Sequence, residues 1–160
     1  MTSDTIVTPS VRLILPLSQQ LLLILRENDR NIRDPLRWAL PERELRKGES
    51  HEVAAHGCLS VNLGLSLANL MAADLLEVGA CAGYTYFFGV IRDEQAPRIR
   101  LSQGLGFTFL NAAGVNGLCD EGIGNRGLIA PHVAQHYNVI WALVQNRVEP
   151  NCGLIRCTGH

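Results

Sequence analysis

The chain has 160 residues, 47% of them hydrophobic and 18% charged, with a formal net charge of −1. That is enough apolar material for one domain with a substantial core, and it excludes an intrinsically disordered chain. A near-zero balance with no basic block argues against nucleic acid or an anionic membrane as partner, and apolar runs such as Leu21–Leu25 are far too short to span a bilayer.

Residues 1–10 read as an N-terminal tail. The stretch is polar, carries Asp4 and has no basic run, so it is not a signal peptide and a cytoplasmic protein is expected. The five cysteines (Cys58, Cys81, Cys119, Cys152 and Cys157) are odd in number and irregularly spaced, which predicts reduced thiols rather than a disulfide framework.

Residues 11–148 read as one domain. Val11–Leu17 and Leu21–Leu25 are apolar and separated by Ser18, Gln19 and Gln20, a pattern that predicts a β-hairpin entering a buried sheet. Arg26–Arg37 is charged, contains Asn28, Asp29, Asn31 and Asp34-Pro35, and reads as a loop. Trp38–Leu40 suits a short strand stopped by Pro41. Ser50 is a helix N-cap, Ala55, Leu59 and Leu63 then form a stripe at i, i+4 and i+8, and Gly64 is a natural stop. Leu65–Val78 is ambiguous and is read as a strand. Tyr84–Ile91 has strong strand composition, Asp93–Pro97 makes a turn, and Arg98–Leu101 alternates polar and apolar. Phe107–Leu110 is another strand. After a glycine-rich loop, Pro131–Gln145 predicts a C-terminal helix, and residues 149–160 read as a tail. Leu76–Gly83 imitates the glycine-rich loop of methyltransferases, but a strand rather than a helix follows it, so the match is taken as chance. The sum is a mixed α/β domain.

Trp38 to Ala55, with Leu40-Pro41-Glu42-Arg43 and Gly48-Glu49-Ser50, resembles the opening of a Nudix box, written G-x5-E-x7-R-E-U-x-E-E-x-G-U with U a bulky apolar residue. The chain matches the length of that pattern without a gap. The glutamate is kept as Glu49, the apolar residue as Leu59, and the closing pair as Gly64 and Leu65. The first glycine falls on Arg43, the Arg-Glu pair on Gly57 and Cys58, and the paired glutamates on Val61 and Asn62. Leu21–Arg26, the loop with Ile32, Asp34-Pro35 and Trp38, Arg100–Phe109 and Ile129–His132 resemble further stretches of the family in order, so the resemblance covers about Val11 to Val144. It implies an α/β/α sandwich with a mixed β-sheet, and a homodimer.

Nudix hydrolases cleave diphosphates with divalent metals that offset phosphate charge and activate water. Positions 58, 61 and 62 lie at i, i+3 and i+4, so an α-helix would put their side chains on one face. Mg²⁺ wants several oxygen ligands there. A thiol is a poor partner for it, Val61 has no ligand and Asn62 offers one neutral oxygen. The resemblance therefore implies a divergent Nudix-fold protein that has lost its metal-binding glutamates and serves as a small-ligand-binding or regulatory module. No cofactor and no metal ligand are expected.

Two alternatives stand beside this reading. A metal-independent enzyme would use Glu49, His56 and Cys58 in the old cleft. A residual hydrolase would hold Mg²⁺ or Mn²⁺ through Glu49, Glu52 and Asp120 or Glu121. The ligand-binding candidates are Arg26, Arg37, Arg43, Glu52, Asn62, Asp120 and Glu121, and the partner expected is a small molecule, phosphorylated ligands included. His132 and His136, four apart, are read as surface or packing residues. Cys152, Cys157 and His160 are read as packing or disordered tail.

Overall fold

A computed structural model describes residues 8–29, 31, 32, 34–120 and 128–157. Among the described residues nine strands form two sheets: β1 (Ser10–Ile14), β2 (Pro16–Leu17), β3 (Gln20–Leu25), β4 (Trp38–Ala39), β5 (Glu42–Glu44), β6 (Leu76–Cys81), β7 (Tyr84–Phe88), β8 (Gly106–Leu110) and β9 (Ile155–Arg156). The larger sheet runs β5-β1-β7-β6-β9 and is mixed, because β1 lies parallel to β7, and β6 parallel to β9. In the smaller sheet β8 pairs along one edge of β3, and β2 and β4 share the other. The helices are α1 (His51–Gly57), α2 (Ala112–Asp120), α3 (Pro131–Gln135) and α4 (Tyr137–Val144).

The sheets are covered on both faces, which is why β1 is buried at all five positions. Strand alternation sorts the side chains. Val11, Leu13 and Leu22 join Ala54, Ala55, Cys58 and Leu59 in one core cluster. Ile14, Leu21 and Leu23 join Val133, Ile140 and Trp141 in the other. This is the α/β/α sandwich with a mixed sheet that the sequence leads one to expect. Among the described residues no helix is long and apolar enough to cross a membrane.

Several local expectations hold. The Ser50 hydroxyl accepts from the Val53 amide at 3.1 Å, capping α1. Ala55, Leu59 and Leu63 are each at most 1% exposed, and Gly64 takes a left-handed φ of +71°.

Others need correction. The hairpin is shorter than expected. Only Pro16–Leu17 pairs with β3, across Ser18 and Gln19 at positive φ, while Ser10–Ile14 belongs to the larger sheet. Leu65–Val78 is not one strand. Ser66 and Asn69 cap a short 3-10 turn at Leu67–Asn69, and β6 begins only at Leu76. Arg98–Leu101 forms no strand: Arg100 and Ser102 donate instead to the Leu63 and Asn62 carbonyls. The glycine-rich loop is partly α2, whose start is held by Asn111 Oδ1 accepting from the Gly114 amide at 2.8 Å. The predicted C-terminal helix breaks at His136 into α3 and α4.

The cysteine reading is overturned. Cys81 and Cys157, 76 positions apart, are joined in a disulfide. Parallel pairing of β9 beside β6, Gly79 with Ile155 and Ala80 with Arg156, brings the two ends together, and sequence spacing carries no trace of that pairing. The segment read as a tail thus supplies an edge strand, with Ile155 1% exposed in the core.

Candidate functional site

α1 does not continue as an α-helix. From Cys58 to Asn62 the backbone is π-helical, its hydrogen bonds spanning five residues rather than the four of an α-helix. The widened turn changes which side chains share a face. Cys58 points into the core and is fully buried, whereas Val61 and Asn62 line a cleft of about 760 Å³. The expected common face for positions 58, 61 and 62 is therefore absent. Burial, with Glu42 adding to it, pushes the Cys58 thiol up to about 12, so it stays protonated at physiological pH.

The cleft is bounded by the end of β3, the chain from β4 through β5 to Arg46, the π turn and Leu101–Gly104. At its base Glu42 Oε1 accepts from Arg26 Nη2 at 2.7 Å and from Arg12 Nε at 3.0 Å. Both arginines are buried, at 9% and 5% exposure. A second nitrogen of Arg12, Nη1, donates to the Tyr86 hydroxyl at 3.0 Å, and the guanidinium carbon lies 3.4 Å from the centre of the Tyr84 ring. Desolvation, outweighing the nearby Arg12, holds the Tyr86 phenol above its usual range. His132 is buried beside the lining residue Leu40, with Nε2 accepting from the Leu40 amide at 3.2 Å. Burial first, then Arg12 and Arg26, keep His132 well below the usual histidine range, and His136, edge-on to Tyr86, is lowered by burial and Arg12. Of the surface and packing roles that the sequence leaves open, both histidines take the second.

Arg43 and Glu49 form a second ion pair at 3.6 Å, each side chain 13% exposed. Glu49 Oε1 also accepts from the Arg46 amide at 2.9 Å. The Arg43 guanidinium lies against Gly57, where any β-carbon would collide with it. Arg43 and Gly57 are thus complementary in space, and the guanidinium that fills the room beside Gly57 also pairs with Glu49.

The described residues do not fit a divalent metal. Glu49 is held by Arg43 and Arg46, Glu42 by two arginines, and Glu52 is exposed on the first turn of α1, outside the cleft. No group of three His, Cys, Asp or Glu among the described residues is placed to hold an ion.

Of the candidates from sequence, the cleft gathers Arg26, Arg43 and Asn62. Arg37, Glu49, Glu52, His56 and Cys58 do not line it. Asp120 ends α2, with its side chain outside the description, and Glu121 lies outside the described residues. Arg12, Glu42 and Tyr84 escaped the sequence reading. A signal existed for one of them: Arg12 stands inside Val11–Leu15, and a charge within a doubly covered strand requires a buried partner. Nothing local marks Glu42 as that partner.

No family model matches the chain, and no curated protein matches it either. Solved structures do. A Nudix hydrolase from M. smegmatis, RenU, is similar over 89% of this chain and 89% of its own, at TM-score 0.58 and 16% identity. A Nudix hydrolase from Nitrosomonas europaea covers 92% of this chain and 78% of its own, at TM-score 0.57 and 12% identity. DR0079 from Deinococcus radiodurans covers 93% and 90%, at TM-score 0.63 and 14% identity. The fold is therefore that of the Nudix hydrolases. At these identities the likeness defines the architecture and leaves the chemistry to the chain's own residues.

Proposed function

We propose that this Nudix-fold domain binds a small anionic molecule, phosphorylated ligands foremost, in the cleft between β3, β5 and the π turn. On this reading it serves as a ligand-binding or regulatory module rather than a metal-dependent diphosphate hydrolase. The observation that carries the reading is the charge packed at the base. Among the charges that line the cleft the two most deeply buried are cationic, Arg26 at 9% and Arg43 at 13% side-chain exposure, while Glu42 is at 28% and Glu27 and Glu44 are exposed. Water screens these two guanidiniums weakly, so they attract an arriving anion. Val61 and Asn62 occupy the positions that the Nudix box fills with paired glutamates, so the ligand is met by an amide and an apolar surface rather than a metal.

A thermal-shift panel of inorganic phosphate, pyrophosphate and nucleoside diphosphates, with and without Mg²⁺ or Mn²⁺, tests this. The expected outcome is a metal-independent rise in melting temperature and no turnover. A ligand at a hundred times its Kd stabilises by about 2.7 kcal/mol. Metal-dependent turnover would establish instead the residual hydrolase with displaced ligands.

A further inference from the structure

We infer that the Cys81–Cys157 disulfide is a redox latch that sets the affinity of the cleft. Resting on the anion-binding reading above, the inference adds its regulation. The chain after α4 returns to lie beside β6, but β9 has only two residues, and so short a ladder holds poorly by itself. The disulfide pins it immediately after Arg156.

The path from latch to cleft is short. Cys81 and Tyr84 are direct cross-strand partners, joined by a two-residue turn at Ala82 and Gly83, both at positive φ. Tyr84 lines the cleft, and its ring covers the Arg12 guanidinium. The Gly83 carbonyl also accepts from the Ser10 amide at 3.0 Å, tying the same turn to β1. Gly79 strengthens the dependence: its φ is +138°, and a side chain there would strike the Ile155 backbone, so β6 is shaped around β9. Removing β9 takes Ile155 out of the cluster that contains Val78, Cys81 and Tyr84.

Access favours attack from outside. Cys157 is exposed, whereas Cys81 is 7% exposed. A dithiol reductant attacks the Cys157 sulfur as thiolate and forms a mixed disulfide, and Cys81 leaves as thiolate and takes up a proton. The second thiol of the reductant then displaces Cys157, so the reductant is oxidised to its own disulfide and two protein thiols form. β9 is then held by noncovalent contacts alone.

The test uses the full chain, oxidised or reduced with dithiothreitol, and a Cys157→Ser variant. Two readouts are taken: pyrophosphate affinity by calorimetry, and amide exchange over β6, β7 and β9. The expected result is faster exchange at Ile155 and at Tyr84 on reduction, with pyrophosphate bound at least about fivefold more weakly. Reoxidation restores both, and Cys157→Ser matches the reduced protein and ignores dithiothreitol. Unchanged exchange at Tyr84 in a reduced, folded protein overturns the latch whatever the ligand does. Unchanged pyrophosphate affinity despite a loosened Tyr84 overturns its control of the cleft. If the oxidised protein binds no pyrophosphate, the anion-binding reading fails, and with it the latch's control of the cleft, while the exchange data still report whether Tyr84 answers to the bond.

Discussion

Arg43 and Gly57 occupy one space: the guanidinium of the first lies where a β-carbon of the second would stand, and from there it reaches Glu49 at 3.6 Å. Two residues that look independent along the chain are complementary in three dimensions. Gly57 has helical backbone angles, φ −65° and ψ −38°, where alanine is ordinarily favoured by about 1 kcal/mol. The collision with Arg43 offsets that gain. Gly57→Ala is therefore expected to be nearly neutral in the natural chain and to stabilise by about 1 kcal/mol once Arg43→Ala has emptied the space. Urea unfolding of the four proteins measures the coupling, and strictly additive effects would show that the two sites are independent.

Glu42 is the shared acceptor of two buried arginines. Glu42→Gln leaves both cations facing a neutral amide, and loss of about 3 kcal/mol or more is expected. Glu44→Gln, on the exposed end of the same strand, should stay within about 0.5 kcal/mol. Chemical denaturation compares them. Equal effects at the two positions would mean that the Arg12–Glu42–Arg26 cluster contributes little.

The buried histidines set a pH dependence. His132 and His136 are held below the usual histidine range, chiefly by burial, so near pH 6 the unfolded chain binds more protons than the folded one. Stability is then fully present above the unfolded histidine pKa of about 6.5 and declines as pH falls below it, toward the depressed folded values. His132→Gln keeps an acceptor for the Leu40 amide and removes one titration. The melting temperature of this variant should fall less between pH 7 and pH 5 than that of the natural chain. Parallel pH profiles would show that His132 does not carry the dependence.

Cys58 bears on whether the cleft hosts nucleophilic chemistry. Its thiol is fully buried and pushed up to about 12, while Cys152 is exposed. In a Cys119→Ser background at pH 8, a thiol reagent should modify Cys152 promptly and Cys58 only as fast as the protein unfolds. Peptide mapping distinguishes them, and rapid modification of Cys58 in the folded protein would revive the metal-independent enzyme.

The sequence by itself determined the layered α/β architecture. Apolar strand runs, the Ser50 cap, the Ala55–Leu59–Leu63 stripe and the Gly64 stop are local signals, and each acts through its own backbone or an adjacent turn. It also showed that positions 58, 61 and 62 carry no carboxylate, since that is a matter of side-chain chemistry alone. Only the tertiary structure decided the rest. It put Cys58 in the core and Val61 and Asn62 at the cleft, across the π turn. The pairing of Arg12 with Glu42, of Arg43 with the space at Gly57, and of Cys81 with Cys157 joins residues 14 to 76 positions apart. Such contacts leave no periodicity to read, because distant segments meet only when the sheets assemble and their buried charges must find partners.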